Sequence, residues 1–309
     1  MSMKIRHLLL LIALLPMSLT AQQKQTFRFA ERDSALFLDV YRPVAARADR
    51  ACVVALFGGG FVTGERDNEY QQLVARELTA RGFTVVSPDY RLGLRDSAKV
   101  ASFGKGLSAL QRLFQWTIDL ATEDCAEAVA WVVAHADELD VDPRHIVLTG
   151  SSAGAITVAQ LDYCRANALP QAAVLPQGWM PAAVVAYSGA VMCKGKPRYK
   201  TAPAPTLFMH GTKDKIVAYK RFPPVLSHAL YGASTLFKVM EKAHYPVWIV
   251  RYEGIGHEVA SFLPGSADLF CGFVEQVLHG RVTTLDATMR DTKLVPTEWT
   301  EMNVFDLYK

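Results

Sequence analysis

Apolar runs separated by turn-forming segments recur along the chain from residue 26 onward. Residues 26–44 alternate, with Phe27, Phe29, Leu36, Leu38 and Val40 apolar around the polar turn Glu31-Arg32-Asp33-Ser34. That is the period of a half-buried antiparallel hairpin at a sheet edge, closed by Pro43. From residue 51 the pattern changes. Residues 51–57, 83–87, 146–149, 182–187, 206–209 and 247–252 are short, almost continuously apolar runs, as expected of strands covered on both faces of a parallel sheet. Between them, residues 70–80, 124–138, 155–166 and 268–279 carry apolar side chains at helical spacing. Residues 193–205 read as a Pro- and Lys-rich loop, and 222–231 and 234–244 as helical or loop-like. Strands alternating with crossover helices predict an α/β fold: a three-layer α/β/α sandwich around a mostly parallel, doubly wound sheet.

Three segments stand outside that rhythm. Residues 93–121 are longer than an ordinary connection and place Leu107, Leu110, Leu113 and Phe114 at helical spacing, with Phe103 and Trp116 towards the ends. They are expected as a helical insertion beside or over the carboxyl edge of the sheet. A separate crossover helix is expected to start at Asp124, where an acid suits the helix dipole. Residues from 281 onward are polar with scattered Trp299, Phe305 and Tyr308, and read as a tail. At the other end, Lys4 and Arg6 precede the apolar residues 8–15 and a small-residue stretch to Ala21, the layout of a secretory leader over residues 1–21. The expectation is a secreted or periplasmic protein, with residues 22–309 as a single domain. The apolar run is too short to span a bilayer, so no stable membrane span is expected once the leader is removed.

With 309 residues, half of them apolar and 20% charged, the chain can bury a sizeable core. Its net charge of +3 falls to +1 without the leader, and no basic patch with interleaved aromatics points to nucleic acid. The five cysteines, at 52, 125, 164, 193 and 271, are odd in number and widely spaced. They read as small buried hydrophobes, with a single disulfide left open. No Cys-x-x-Cys or Cys/His cluster suggests a metal, and nothing implies an organic cofactor.

The chemistry gathers at strand ends. Gly150-Ser151-Ser152-Ala153-Gly154 follows the apolar run 146–149 and precedes a helical pattern, so Ser152 sits on a sharp strand-to-helix turn whose glycines let strand and helix approach closely. Asp214 follows the run 206–209 within His210-Gly211-Thr212-Lys213-Asp214. His257 follows 247–252 within Gly254-Ile255-Gly256-His257, and Gly58-Gly59-Gly60 follows 51–57. Each alone also has a plain reading as a turn residue, a helix cap or a surface group. Together they fall where open α/β sheets bind ligands, outside the carboxyl ends of the strands. A serine, a histidine and a carboxylate with backbone amides nearby can perform acyl transfer. Glu258 is a second acid beside His257, but adjacency in sequence gives it poor geometry. Asp89 and Arg91, at another strand end, suit a turn role at least as well as substrate binding.

With these pieces, and with Pro88-Asp89-Tyr90-Arg91-Leu92 and the Asp142-Pro143-Arg144-His145 lead-in, residues 35–275 resemble the α/β-hydrolases of the esterase/lipase group that carry an HGGG-type oxyanion loop, near secreted bacterial carboxylesterase-like and hormone-sensitive-lipase-like enzymes. The resemblance implies Ser152 as nucleophile, His257 as base and Asp214 as its orienting acid. It also implies an oxyanion hole made by the amides of Ala153, Gly59 and Gly60. The family's loop usually begins with histidine, and this chain has Phe57 there. The implied loss is a hydrogen bond that supports the loop, while the amide donors remain. The activity so implied is hydrolysis of carboxylic esters, with short acyl or feruloyl groups on a small or carbohydrate-linked alcohol. Phe61, Trp179 and Met180 are the first candidates for substrate contact, with Phe103, Leu107 and Trp116 behind them. A peptidase on the same fold, or a non-catalytic binding protein on a hydrolase scaffold, are the other readings.

Overall fold

A nine-stranded sheet forms the centre of the computed structural model, which describes residues 23–95, 106–222 and 228–308. The strands are β1 (Gln23–Glu31), β2 (Ala35–Arg42), β3 (Cys52–Leu56), β4 (Thr84–Pro88), β5 (Ile146–Ser151), β6 (Ala183–Tyr187), β7 (Ala190–Lys194), β8 (Thr206–Gly211), β9 (Arg221–Phe222), β10 (His228–Gly232), β11 (Val247–Tyr252) and β12 (Leu285–Met289). The helices are α1 (Glu69–Thr79), α2 (Leu107–Ala134), α3 (Ala136–Leu139), α4 (Ala153–Asn167), α5 (Ala233–Lys242), α6 (Ala267–Leu278) and α7 (Glu298–Glu301). The central sheet runs β1-β2-β4-β3-β5-β6-β8-β11-β12. It is antiparallel from β1 to β4 and parallel from there on. The leader expected over residues 1–21 and Phe103 lie outside the described residues.

Alternation along β3 shows how the layers form. Cys52, Val54 and Leu56 face a cluster with Ile118, Val129 and Ile156 of α2 and α4, while Val53 and Ala55 face Val74 and Leu78 of α1 and Phe270 and Phe273 of α6. The sheet is thus covered on both faces, which is why its inner strands are apolar without alternation. The chain moves from β3 to β4 on one side, then returns through α2 to place β5 on the other side of β3. That reversal opens a crevice at the carboxyl ends of β3 and β5, the usual ligand position in such sheets.

Three expectations are corrected. First, there is no break at Asp124: α2 is one 28-residue helix, because no glycine or proline interrupts residues 107–134. Its buried positions (Leu110, Ile118, Ala121, Cys125, Val129, Val132) keep helical spacing throughout. Asp124 is therefore interior to the helix, fully buried, and its carboxylate accepts from the amide and guanidinium of Arg91 at 2.8–3.0 Å. Second, residues 190–194 and 228–232 pair as antiparallel strands of a second, three-stranded sheet, β7-β10-β9. Third, the segment from 281 is not a free tail. β12 pairs in parallel with β11, and the residues after it return over the carboxyl edge of the sheet. All five cysteines are free, and burial pushes the Cys52 thiol up to about 12. No helix among the described residues is long and apolar enough to cross a membrane.

The Arg91–Asp124 pair ties α2 to the loop after β4, and removing Asp124 takes from Arg91 its buried partner and leaves it only Glu123, half-exposed at 3.3 Å. Replacing Asp124 with alanine is expected to lower stability by about 3–5 kcal/mol, measured by urea unfolding. A loss under about 1 kcal/mol, the scale of an exposed pair, would contradict this role.

Candidate active site

β5 ends in a turn that no ordinary residue adopts freely: Ser152 sits at φ 51°, ψ −114°. Backbone outliers of this kind cost about 1–3 kcal/mol and persist only where the surroundings hold them. Here the surroundings are backbone. A β-carbon at Gly150 would lie 2.4 Å from the carbonyl carbon of Gly154, and one at Gly154 would lie 2.4 Å from the carbonyl oxygen of Leu56. Without β-carbons at these two positions, α4 starts directly against the carboxyl end of β3. The Ser152 amide donates to the Tyr187 carbonyl of β6 at 2.9 Å, and its carbonyl accepts the first helical bond from Ile156. The side chain is left to project from the apex.

Two further loops meet it. His257 opens a short 3-10 turn after β11, and its Nε2 lies 2.8 Å from the Ser152 hydroxyl. Its Nδ1 lies 2.8 Å from Oδ2 of Asp214, in the loop after β8. The other Asp214 oxygen accepts the amides of Ile216 and Val217 at 3.0 and 2.9 Å. Ser152, Asp214 and His257 are all buried, at 8%, 5% and 6% exposure, so little water competes for these contacts. Burial alone would push the Asp214 carboxyl up. The imidazoles of His257 and His210 outweigh it, and the group stays well below the usual carboxylate range. His210 is fully buried, and its Nε2 lies 2.9 Å from the Val217 carbonyl and 3.3 Å from Asp214 Oδ2. Glu258 is occupied elsewhere: its carboxylate accepts from Thr297, Thr300 and the Gly256 amide.

The loop after β3 faces the serine. Gly59 sits at φ 123°, where a β-carbon would lie 2.0 Å from the Thr63 carbonyl oxygen, so only glycine fits. The amides of Gly59, Gly60 and Ala153 donate to no acceptor among the described residues. Ala153 is also the first residue of α4, at the positive end of the helix dipole. Phe57, in place of histidine, is buried and stacks on Tyr90 with ring centroids 4.3 Å apart. The Tyr90 hydroxyl donates to the Phe57 carbonyl at 2.8 Å. The loop is thus supported by an aromatic pair and a phenol.

Ser152 stands between two spaces. On one side is a small cavity of about 50 Å³, walled by apolar side chains including Phe61, Ile156, Met192, Val217, Leu230 and Leu307. On the other is an open groove of about 540 Å³ with polar edges, formed by Thr63, Asn68, Tyr70, Ser261 and Thr297 around His257, with Trp299 beside it. Of the residues expected to touch substrate, Phe61 lines the cavity. Trp179 and Met180 do not reach it. The Trp179 indole donates to the Pro143 carbonyl, just before the amino end of β5, while Ser152 follows its carboxyl end. Six strand residues, about 20 Å at about 3.3 Å each, separate them. Met180 is exposed on that same far side, and Trp116 lies in a polar cleft with Arg91 and Arg95. Nothing in the sequence separates Met192, Val217 and Leu230, which also line the cavity, from ordinary core residues. Among the described residues no three His, Cys, Asp or Glu side chains converge as metal ligands would.

An open, mostly parallel sheet flanked by helices, with serine, acid and histidine at strand ends in that chain order, is an α/β-hydrolase architecture. A sequence model of the carboxylesterase family matches residues 15–188, more than half of the chain, and the chain belongs to that family. Part of it is 29% identical over 111 residues to Lipase 2 of Moraxella sp. (strain TA144), a match covering 36% of this chain and only 21% of that lipase. Among solved structures, the esterase Est2 of Thermogutta terrifontis shares the fold at a TM-score of 0.58 and 20% identity, covering 84% of this chain and 93% of the other. Its butyrate-bound form matches at a TM-score of 0.55 and 20% identity, over 84% and 95% of the two chains.

The depressed Asp214 carboxyl has a consequence for acid stability. A carboxyl lowered on folding contributes stability that is complete above the unfolded value of about 3.9 and is lost as pH falls through the native value. Thermal melts at pH 7 and pH 3 are therefore expected to shift less in Asp214→Asn than in the wild type. Equal shifts would contradict the sign of the effect.

Proposed function

We propose that the protein hydrolyses carboxylic esters through a Ser152–His257–Asp214 triad and an acyl-enzyme. The observation that carries this reading is the unbroken relay of two 2.8 Å contacts from Ser152 Oγ to His257 and from His257 to Asp214. His257, held in one tautomer by Asp214, takes the serine proton as Oγ bonds to the ester carbonyl carbon. The carbonyl oxygen becomes an anion facing the amides of Gly59, Gly60 and Ala153. His257 then gives its proton to the leaving alkoxide, the C–O bond to the alcohol breaks, and water repeats the sequence to release the acid and free the serine.

The two spaces beside Ser152 divide the substrate. The apolar cavity, about 50 Å³ against about 540 Å³ for the groove, is the smaller of the two and suits a short apolar acyl chain such as acetyl to butyryl. The binding of butyrate by the Thermogutta terrifontis esterase is in keeping with this size. The alcohol then occupies the open groove, where polar edges and the 40%-exposed Trp299 suit a sugar ring stacked on the indole.

The test is hydrolysis of p-nitrophenyl esters from C2 to C12 and of acetylated xylan, each with a Ser152→Ala control. We expect kcat/KM to peak between C2 and C4, and the variant to lose at least about 10³-fold. Retention of most activity in the variant, or an optimum at octanoyl or longer, would overturn the reading.

A further inference from the structure

We infer that the carboxyl-terminal strap, residues 297–308, is a working part of the site: it holds the catalytic loops in register, and it closes the acyl cavity. This rests on the ester-hydrolase reading and extends it to residues beyond the stretch matched by the family, which ends at 188.

The strap touches each of the three loops that carry chemistry. At its start, Glu258, next to His257, accepts the amide and hydroxyl of Thr297 and the hydroxyl of Thr300 through one oxygen at 2.7–2.8 Å. The other oxygen accepts the Gly256 amide at 2.9 Å. A β-carbon at Gly256 would lie 2.4 Å from the Thr300 α-carbon, so strap and histidine loop are packed backbone to backbone. In the middle, Asn303 bridges to Lys215, the residue after Asp214, and Glu301 pairs with the Lys215 ammonium at 3.0 Å. At its end, the Tyr308 hydroxyl donates to the Gly60 carbonyl at 2.9 Å.

The last contact bears on the oxyanion. Gly60 sits at φ 62° and Phe61 at φ 61°, so two left-handed residues follow one another in the loop. Holding the Gly60 carbonyl fixes the orientation of the peptide between them, and with it the amides that precede it. Burial pushes the Tyr308 phenol above its ordinary value, which keeps the hydroxyl a donor. Its ring packs edge-to-face on Phe114, and Val304, Leu307 and Tyr308 all wall the acyl cavity. Tyr308 and Glu258 are thus positioning residues, and Leu307 limits chain length.

Two full-length variants test this, with kcat and KM measured for the acetyl to hexanoyl p-nitrophenyl esters and thermal midpoints recorded alongside. Tyr308→Phe removes one oxygen and keeps the ring. Its kcat on acetyl ester is expected to fall about tenfold, below the 10²–10³ of a deleted oxyanion donor, with KM and midpoint close to wild type. Leu307→Ala is expected to raise the hexanoyl-to-acetyl ratio of kcat/KM at least about tenfold, the scale of one or two methylenes in a pocket. Wild-type kcat in Tyr308→Phe overturns the positioning role, and an unchanged chain-length profile in Leu307→Ala overturns the closing role. Failure of the ester-hydrolase reading is seen separately, as wild-type protein inactive on every ester or Ser152→Ala as active as wild type.

Discussion

Everything at this site depends on how closely the start of one helix can approach the end of one strand. Gly154 lies against the carbonyls of Leu56 and Phe57 with no room for a β-carbon, and Gly150 lies against Gly154 in the same way. That contact fixes the entry of α4, and the chain satisfies it by bending at Ser152 into φ 51°, ψ −114°. The strain is local, and the buried β5–β6 pairing that continues through the Ser152 amide holds it in place. The same approach brings the Gly58–Gly60 loop, which follows β3, beside the serine. Ser152 and the Gly58–Gly60 loop are therefore positioned by a single packing constraint.

The other two candidate residues are set by a different device. Asp214 and His257 follow neighbouring parallel strands, β8 and β11, so sheet pairing aligns their loops. Two backbone amides hold one Asp214 oxygen, leaving the other for His257. The imidazoles of His257 and His210 beside it, not exposure, keep this buried carboxylate ionised. The site thus spans both sides of the crevice at β3 and β5, and its parts come from segments more than 40 residues apart in the chain. The strap that returns from β12 crosses these segments, with Trp299 on the larger groove and Leu307 and Tyr308 on the small apolar cavity.

What could be read from the sequence followed from chemistry carried at the ends of short, almost continuously apolar runs. Ser152, Asp214 and His257 each follow such a run, and the runs themselves gave the sheet. Three kinds of feature were hidden. The continuity of α2 was masked by Asp124, whose acid looked like a helix start, though its partner is Arg91, 33 residues earlier. The second sheet depends on pairing residues 190–194 with 228–232, a non-local match between short strands that periodicity does not encode. The strap's role rests on Glu258 meeting Thr297 and Thr300 about 40 residues on, and on Tyr308 meeting Gly60 across 248 positions. Trp179 is a related case: its indole bonds to Pro143 before the amino end of β5, and only the fold separates that end of the sheet from the other.

The central claim is that the bend at residue 152 presents an activated serine. Incubating the folded protein with a serine-reactive phosphonate and mapping the adduct by peptide mass spectrometry tests it most directly. The account predicts one adduct per chain, on the Ser152 side chain. No adduct, or one on Ser151 or a serine elsewhere, would contradict it.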